Sequence, residues 1–322
     1  CFAYRTKHGL PFDTTLFPGY GKLGHLEDAA MKGGARVELD PEKRHPRDFW
    51  LWRIAKPGDL QQWDSPWGRG NPGWHLECSA MSRTLLGQEI DIHTGGEDHI
   101  AIHHNNEIAQ SEAANGRQFV RYWMHGAFLT MNGEKAAKSL GNVVYLSDLA
   151  AKGLHPLSLR YFFLQAHYRT PLSFSWDALG GAAEALTRLW RLAADIAAES
   201  ERKGAPSESR DRFIAAMRDD LATPQALAIL WEELRSEDTP EEKWSLLEAA
   251  EAHLGLSLLA PPVGAPLPAA AVPAEIADLL ARRRAAREAR DFAEADRLRS
   301  EIENRGYRVE DGPNGPVLTK SA

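Results

Sequence analysis

Glu89-Ile90-Asp91-Ile92-His93-Thr94-Gly95-Gly96-Glu97-Asp98 decides the fold class of this 322-residue chain. The short apolar run at its front predicts a buried strand, and Gly95-Gly96 predicts a turn. A helix is then expected from near Asp98 through His103 to Ala114, with Asn115-Gly116 as its C-terminal stop. Strand, glycine turn and helix together make an α/β layer, with a ligand crevice beyond the C-terminal end of the strand.

Upstream, Gly9, Pro11, Pro18, Gly19, Gly21 and Gly24 predict an irregular, extended segment over residues 1–45. Downstream, from about residue 156, the period changes. Leu179, Ala183, Leu186, Trp190, Ala193 and Ala197 recur at helical spacing, as on one buried helix face. Residues 259–273 form a proline–alanine linker, expected to be semi-rigid. A small domain, 274–322, follows it, with one basic helix, a second helical stretch and a short extended tail after Gly312-Pro313.

Composition sets the outer limits. The net charge is -7, so any nucleic-acid contact must come from local basic patches. Two cysteines, Cys1 and Cys78, are too few for a disulfide framework, which points to a reducing compartment and a cytoplasmic protein. No apolar run is long enough to predict a membrane span. The chain begins with Cys1, not Met, and is read as a fragment or a processed product.

Three groups of residues carry chemistry. Cys78, His103 and Glu107 offer a thiolate, an imidazole and a carboxylate, all ordinary Zn²⁺ ligands. His103 and Glu107 stand four apart on the predicted helix, hence on one face. Cys78 is expected at a turn into a buried strand. Taken alone, such a set is more often a small core cysteine and a polar helix face, although His75, His93, His99 and His104 crowd the same stretch. The second group is Lys135 and Lys138 on a glycine-flanked loop, suited to closing on a polyphosphate, or simply an exposed basic turn. The third is the helix around Arg282, Arg283, Arg284, Arg287 and Arg290, which fits nucleic acid or a solvated charged face equally well.

Longer runs sharpen these alternatives. Asp48-Phe49-Trp50-Leu51-Trp52, Pro72-Gly73-Trp74-His75-Leu76-Glu77-Cys78-Ser79, Asp91 to Asp98, His103 to Ser111 and Glu310-Asp311-Gly312-Pro313 all resemble segments of the cysteinyl-tRNA synthetases, a class I family. The resemblance implies the second half of a Rossmann-type catalytic domain over 46–155, a helical bundle over 156–258 and a C-terminal anticodon-recognition domain over 274–322, with 1–45 as the remnant of a connecting region. It implies ATP, with Mg²⁺, as a substrate, cysteine and the cysteine tRNA as partners, and a monomer. Zn²⁺ would be held by Cys78, His103 and Glu107 and would select the substrate thiolate over a hydroxyl. Trp74 would wall the amino-acid pocket. Asp98 would meet a ribose hydroxyl or the substrate amino group. Lys138 would hold ATP phosphates with Lys135 assisting. Arg287, Asp296 and Asp311 would contact the tRNA.

The sequence also departs from that family. The His-Ile-Gly-His motif is missing, and Lys7-His8-Gly9-Leu10 does not replace it. The cysteine that supplies the fourth zinc ligand is missing too, and Cys1 is not assigned to the metal. The signature loop reads Lys135-Ala136-Ala137-Lys138-Ser139, and Asn71 stands where the family has Arg. The isolated chain is therefore expected not to activate cysteine. Two other readings share the zinc site or the arginine-rich helix of the tail: a cysteine ligase of thiol biosynthesis, and a non-catalytic tRNA-binding remnant. A zinc hydrolase is disfavoured, since no His-Glu-x-x-His helix is present.

Overall fold

The computed structural model describes residues 1–24, 41–131, 134–135, 143–201, 204–262, 272–312 and 315–320. It divides into two compact units, Cys1–Phe128 and Leu129–Ala322.

The first unit opens with β1 (Gly9–Phe12), where the glycine-rich pattern had predicted irregular chain. β1 pairs antiparallel with β2 (Phe49–Ile54), which pairs antiparallel with β3 (Gly70–Pro72). Pairing buries Phe12 and Phe49 in stacked contact at 5.0 Å, against Ala109. This local core offsets the helix-breaking residues around it. Asp48, just before β2, is buried and well served: its carboxylate accepts from the Thr14 backbone and hydroxyl at 2.9 Å, from Tyr4 Oη at 2.6 Å and from the His45 backbone at 3.1 Å.

Next comes α1 (Trp74–Leu86), so Cys78 lies on a helix, not on a strand. Gly73, in extended conformation, is its N-cap. α1 leaves Met81, Leu85 and Leu86 exposed, which removes the one-sided apolar pattern by which a sequence announces a helix. β4 (Ile90–Gly96) is the expected strand, but it runs through both glycines instead of turning at them, and Asp91 and Ile92 are exposed. A side chain at Gly95 would stand 2.5 Å from the His104 ring, so this strand can pass the imidazoles only without a Cβ. The predicted helix is split. α2 (Asp98–Ala101) stops at Ile102, which sits at φ -130° and ψ -66°, and α3 (His103–Asn115) starts afresh. Gly116, in the left-handed conformation, ends α3. β5 (Val120–Gly126) then pairs parallel with β4 from Ile90 opposite Val120 to Gly96 opposite Gly126, completing a βαβ unit.

The second unit starts with a small sheet. β6 (Leu129–Met131) pairs with β7 (Glu134–Lys135) and, in parallel, with β8 (Leu172–Phe174). Helices follow: α4 (Leu146–Ala151), α5 (Pro156–Leu164), α6 (Trp176–Glu199), α7 (Glu208–Arg218), α8 (Thr223–Glu233) and α9 (Pro240–Leu254). α6 buries Leu179, Ala182, Leu186, Leu189, Trp190, Ala193 and Ile196, while Ala183 and Ala197 flank that stripe. Ser175 caps α6, and Thr239 with Glu242 forms a capping box on α9. The last elements are α10 (Ala274–Glu288), α11 (Phe292–Asn304) and a hairpin of β9 (Tyr307–Gly312) and β10 (Gly315–Lys320), packed around Ile276, Leu279, Leu298, Ile302, Val309 and Leu318. Among the described residues no helix is long and apolar enough to cross a membrane.

Candidate metal centre

α3 buries nine successive residues, His103 to Ser111, and most of them are polar. A helix covered on every side by protein must satisfy each such group. Most are satisfied. Asn105 donates to the carbonyls of Leu23 at 3.2 Å and Ile100 at 2.6 Å, and Tyr20 donates to Asn106. Gln110 donates to the His75 carbonyl and to Ser79 Oγ, and Ser111 Oγ donates to Ser79 Oγ at 2.9 Å. These bonds latch α1 to α3 and carry Cys78 to the face on which His103 and Glu107 stand.

Besides Gln110 Oε1, which has no partner, the exception is Glu107. Its side chain is fully buried, and neither carboxylate oxygen accepts a hydrogen bond. His103 Nε2 is 2.6 Å from Oε1 and His93 Nε2 is 3.3 Å from Oε2, but neither approach has hydrogen-bond alignment. Leaving a charged carboxylate without donors in a dry interior costs several kcal/mol (order of magnitude). A cation relieves that cost. The ligand atoms of Cys78, His103 and Glu107 all lie within 4.8 Å of one another, so this donor set fits a metal.

The surrounding electrostatics suit neutral imidazole donors. Burial pushes His75 and His104 down to about 3, reinforced by His103 and His99 in the first case and by His93 and His125 in the second. Burial also lowers His93, opposed by the Glu107 carboxylate. Burial raises the Cys78 thiol, and Glu107 adds to the rise. A bound cation reverses that balance and draws out the thiolate. His103 Nδ1 lies 2.9 Å from His75 Nδ1, which orients the ring with Nε2 toward Glu107.

Two further predicted residues lie near this centre. Trp74 is 61% exposed and packs edge-on against His103 at 4.5 Å, so it stands over the metal-facing ring. Asp98 is exposed at the first residue of α2, and a Cβ at Gly96 would sit 2.5 Å from its Oδ1. Lys135 belongs to β7 by its backbone, opposite Thr130, and Lys138 lies outside the described residues.

The remaining candidates lie in the tail. Arg287 is exposed in the last turn of α10, Asp296 is exposed on α11, and Asp311 pairs by its backbone with Pro316. The arginine face is smaller than expected. Arg283 is buried, Arg284 pairs with Glu288 at 2.9 Å, and Arg290 lies beyond the helix at φ 59°.

Residues 1–184 match the family described as the tRNA synthetases class I (C) catalytic domain, and residues 269–315 match the cysteinyl-tRNA ligase anticodon binding domain. The chain belongs to the cysteinyl-tRNA ligase family. It is 45% identical to a cysteine–tRNA ligase of Burkholderia lata over 98% of its own length and 66% of that relative. It is 44% identical to one of Halorhodospira halophila, over 94% and 67%, and 42% identical to one of Caldicellulosiruptor saccharolyticus, over 99% and 71%. The chain thus spans about two thirds of the length of these curated relatives.

Family membership accounts for the layout of an α/β catalytic portion, helices and an anticodon-binding tail. His93 and His104 form a second triad with Glu107, again with ligand atoms within 4.8 Å of one another. The crowding of histidines between 75 and 104 was the signal for it. The sharing of one carboxylate depends on where β4 passes α3, which no spacing reveals.

Proposed function

We propose that this chain belongs to a cysteine–tRNA ligase that activates cysteine with ATP, Mg²⁺ assisting, and transfers it to the cysteine tRNA in the cytoplasm as a monomer. The observation that carries the reading is the convergence of Cys78, His103 and a donor-less Glu107 beneath the exposed Trp74 ring. Zn²⁺ held there would offer a coordination position to the cysteine thiolate, for which a serine hydroxyl competes poorly. Every other role falls to the chain's own groups. Trp74 closes one wall of the amino-acid pocket. Gln110 and Ser79 fix the α1–α3 spacing and hence the approach of Cys78 to Glu107. Asp98 presents a carboxylate to a substrate amino group or ribose hydroxyl. Lys138, with Lys135, neutralises charge on the ATP phosphates as pyrophosphate leaves. Arg287, Asp296 and Asp311 meet the anticodon, where a carboxylate can accept from a guanine edge.

The reading is tested by loading the protein with Co²⁺ and titrating cysteine against serine. Cysteine is expected to add a second thiolate-to-cobalt absorption to that of Cys78, while serine leaves the spectrum unchanged. Equal responses to both amino acids would remove thiolate selection from the site.

A further inference from the structure

We propose that His93, His104 and Oε2 of Glu107 form a second divalent-cation site, bridged through the Glu107 carboxylate to the Cys78–His103–Glu107 site. The inference goes beyond thiolate selection and does not depend on it, because it concerns Oε2 of Glu107, the oxygen beside His93, whereas Oε1 is the one beside His103.

The first support is the carboxylate itself. Both Glu107 oxygens are buried and neither accepts a hydrogen bond. His103 Nε2 stands at Oε1 and His93 Nε2 stands at Oε2, so the two oxygens face different imidazoles. A single cation taken by Cys78, His103 and Oε1 leaves Oε2 without a donor in a water-poor interior. A second cation at Oε2 answers that charge.

The second support is how the imidazoles are held. His104 Nδ1 is engaged by His125 Nε2 at 2.8 Å, which leaves its other ring nitrogen for a metal. This repeats the arrangement across the carboxylate, where His75 holds His103 by Nδ1. Metal-ligating histidines characteristically have the second nitrogen held in this way. Trp123 packs against both His93, at 4.8 Å, and His104, at 4.7 Å, and Phe119 closes on His93 at 5.9 Å. These rings restrict water around the site and fix both imidazole planes. Gly95 lets β4 approach closely enough for His93 and His104 to meet at 4.8 Å between ring centres.

Two neutral imidazoles and one carboxylate suit borderline divalent ions such as Zn²⁺, Co²⁺ or Ni²⁺. With no thiolate, this donor set is harder than its neighbour. Repulsion between adjacent dications and the sharing of one carboxylate make the second ion bind more weakly than the first.

Co²⁺ titration of the whole chain tests the proposal. The wild-type protein is expected to take up about two equivalents in sequence, and only one of them to show thiolate-to-cobalt absorption. Cys78→Ser should bind about one equivalent without that absorption. The double variant His93→Asn/His104→Asn should bind about one equivalent with it, and Glu107→Gln should lose both. Two carboxylate-bridged Co²⁺ ions should also couple magnetically, so wild-type paramagnetic resonance is expected to be attenuated and the Cys78→Ser signal to be that of an isolated ion. This measurement decides the matter even if the double variant folds poorly. Wild-type uptake of one equivalent, or loss of all binding in Cys78→Ser, overturns the second site. Loss of thiolate selection with both equivalents retained would instead overturn only the proposed function.

Discussion

Helices α3 and α6 both bury side chains, yet by opposite chemistry. α6 packs through leucine, alanine, isoleucine and tryptophan, so any apolar neighbour of fitting shape satisfies it. α3 packs through histidine, asparagine, glutamate, glutamine and serine, so each position needs a particular partner. The first kind of interior stabilises a unit. The second holds reactive groups in place, and the family's catalytic portion is where this chain has it.

The largest expected effect falls on the apolar side. Leu186 is fully buried in the core of α5, α6, α8 and α9. Leu186→Ala is expected to destabilise the second unit by about 2–5 kcal/mol, through lost transfer energy and the cavity left behind. Denaturant unfolding followed by reporters in each unit should show the midpoint falling for the second unit alone. An equal fall in Co²⁺ uptake by the first unit would contradict the division of labour.

Two buried carboxylates sharpen the comparison within the first unit. Asp48 accepts from four donors, whereas Glu107 accepts from none. Asp48→Asn weakens an acceptor on which those donors depend and is expected to cost about 1–3 kcal/mol. Glu107→Gln in metal-free protein removes an uncompensated charge and is expected to leave stability unchanged or to raise it. Thermal melts in the presence of a chelator check both signs. A loss in Glu107→Gln as large as that in Asp48→Asn would make Glu107 a structural acceptor.

The same contrast explains what was legible beforehand. The α6 stripe follows from period alone, because apolar packing repeats every turn. The one-face pairing of His103 and Glu107 is legible for the same reason, since four residues make about one helical turn. Cys78 was misplaced onto a strand because α1 exposes Met81, Leu85 and Leu86 and so shows no single apolar face. Gly95-Gly96 suggested a turn, but here the missing Cβ serves a strand passing His104. The break at Ile102, the burial of Arg283 and the meeting of His93 with Glu107 all depend on contacts between distant segments, and local pattern carries no information about those.

Acid should separate the two interiors by the smallest margin over any one pH unit. His75 and His104 are held down to about 3 by burial and by neighbouring imidazoles, while an unfolded histidine titrates near ~6.5. Between these values the unfolded chain binds protons that the folded first unit refuses. By linkage, stability then rises with pH and falls as pH drops. The loss begins as pH passes below ~6.5 and ends once the folded imidazoles protonate near 3. One histidine can contribute at most about 1.4 kcal/mol per pH unit, and partial solvent access reduces that. In the second unit burial lowers His155, which packs edge-on against Trp190 of α6 at 5.4 Å, but no cluster of imidazoles surrounds it, so that unit should lose less over the first part of the same descent. Urea midpoints of metal-free protein between about pH 7 and pH 5 are expected to fall further for reporters in the first unit than for those in the second. His104→Gln should flatten the slope of the first unit, because it removes one of the depressed imidazoles without emptying the position. A slope unchanged by that substitution would shift the acid sensitivity to the carboxylates, such as Asp13, which the Thr15 hydroxyl holds below the usual carboxylate range.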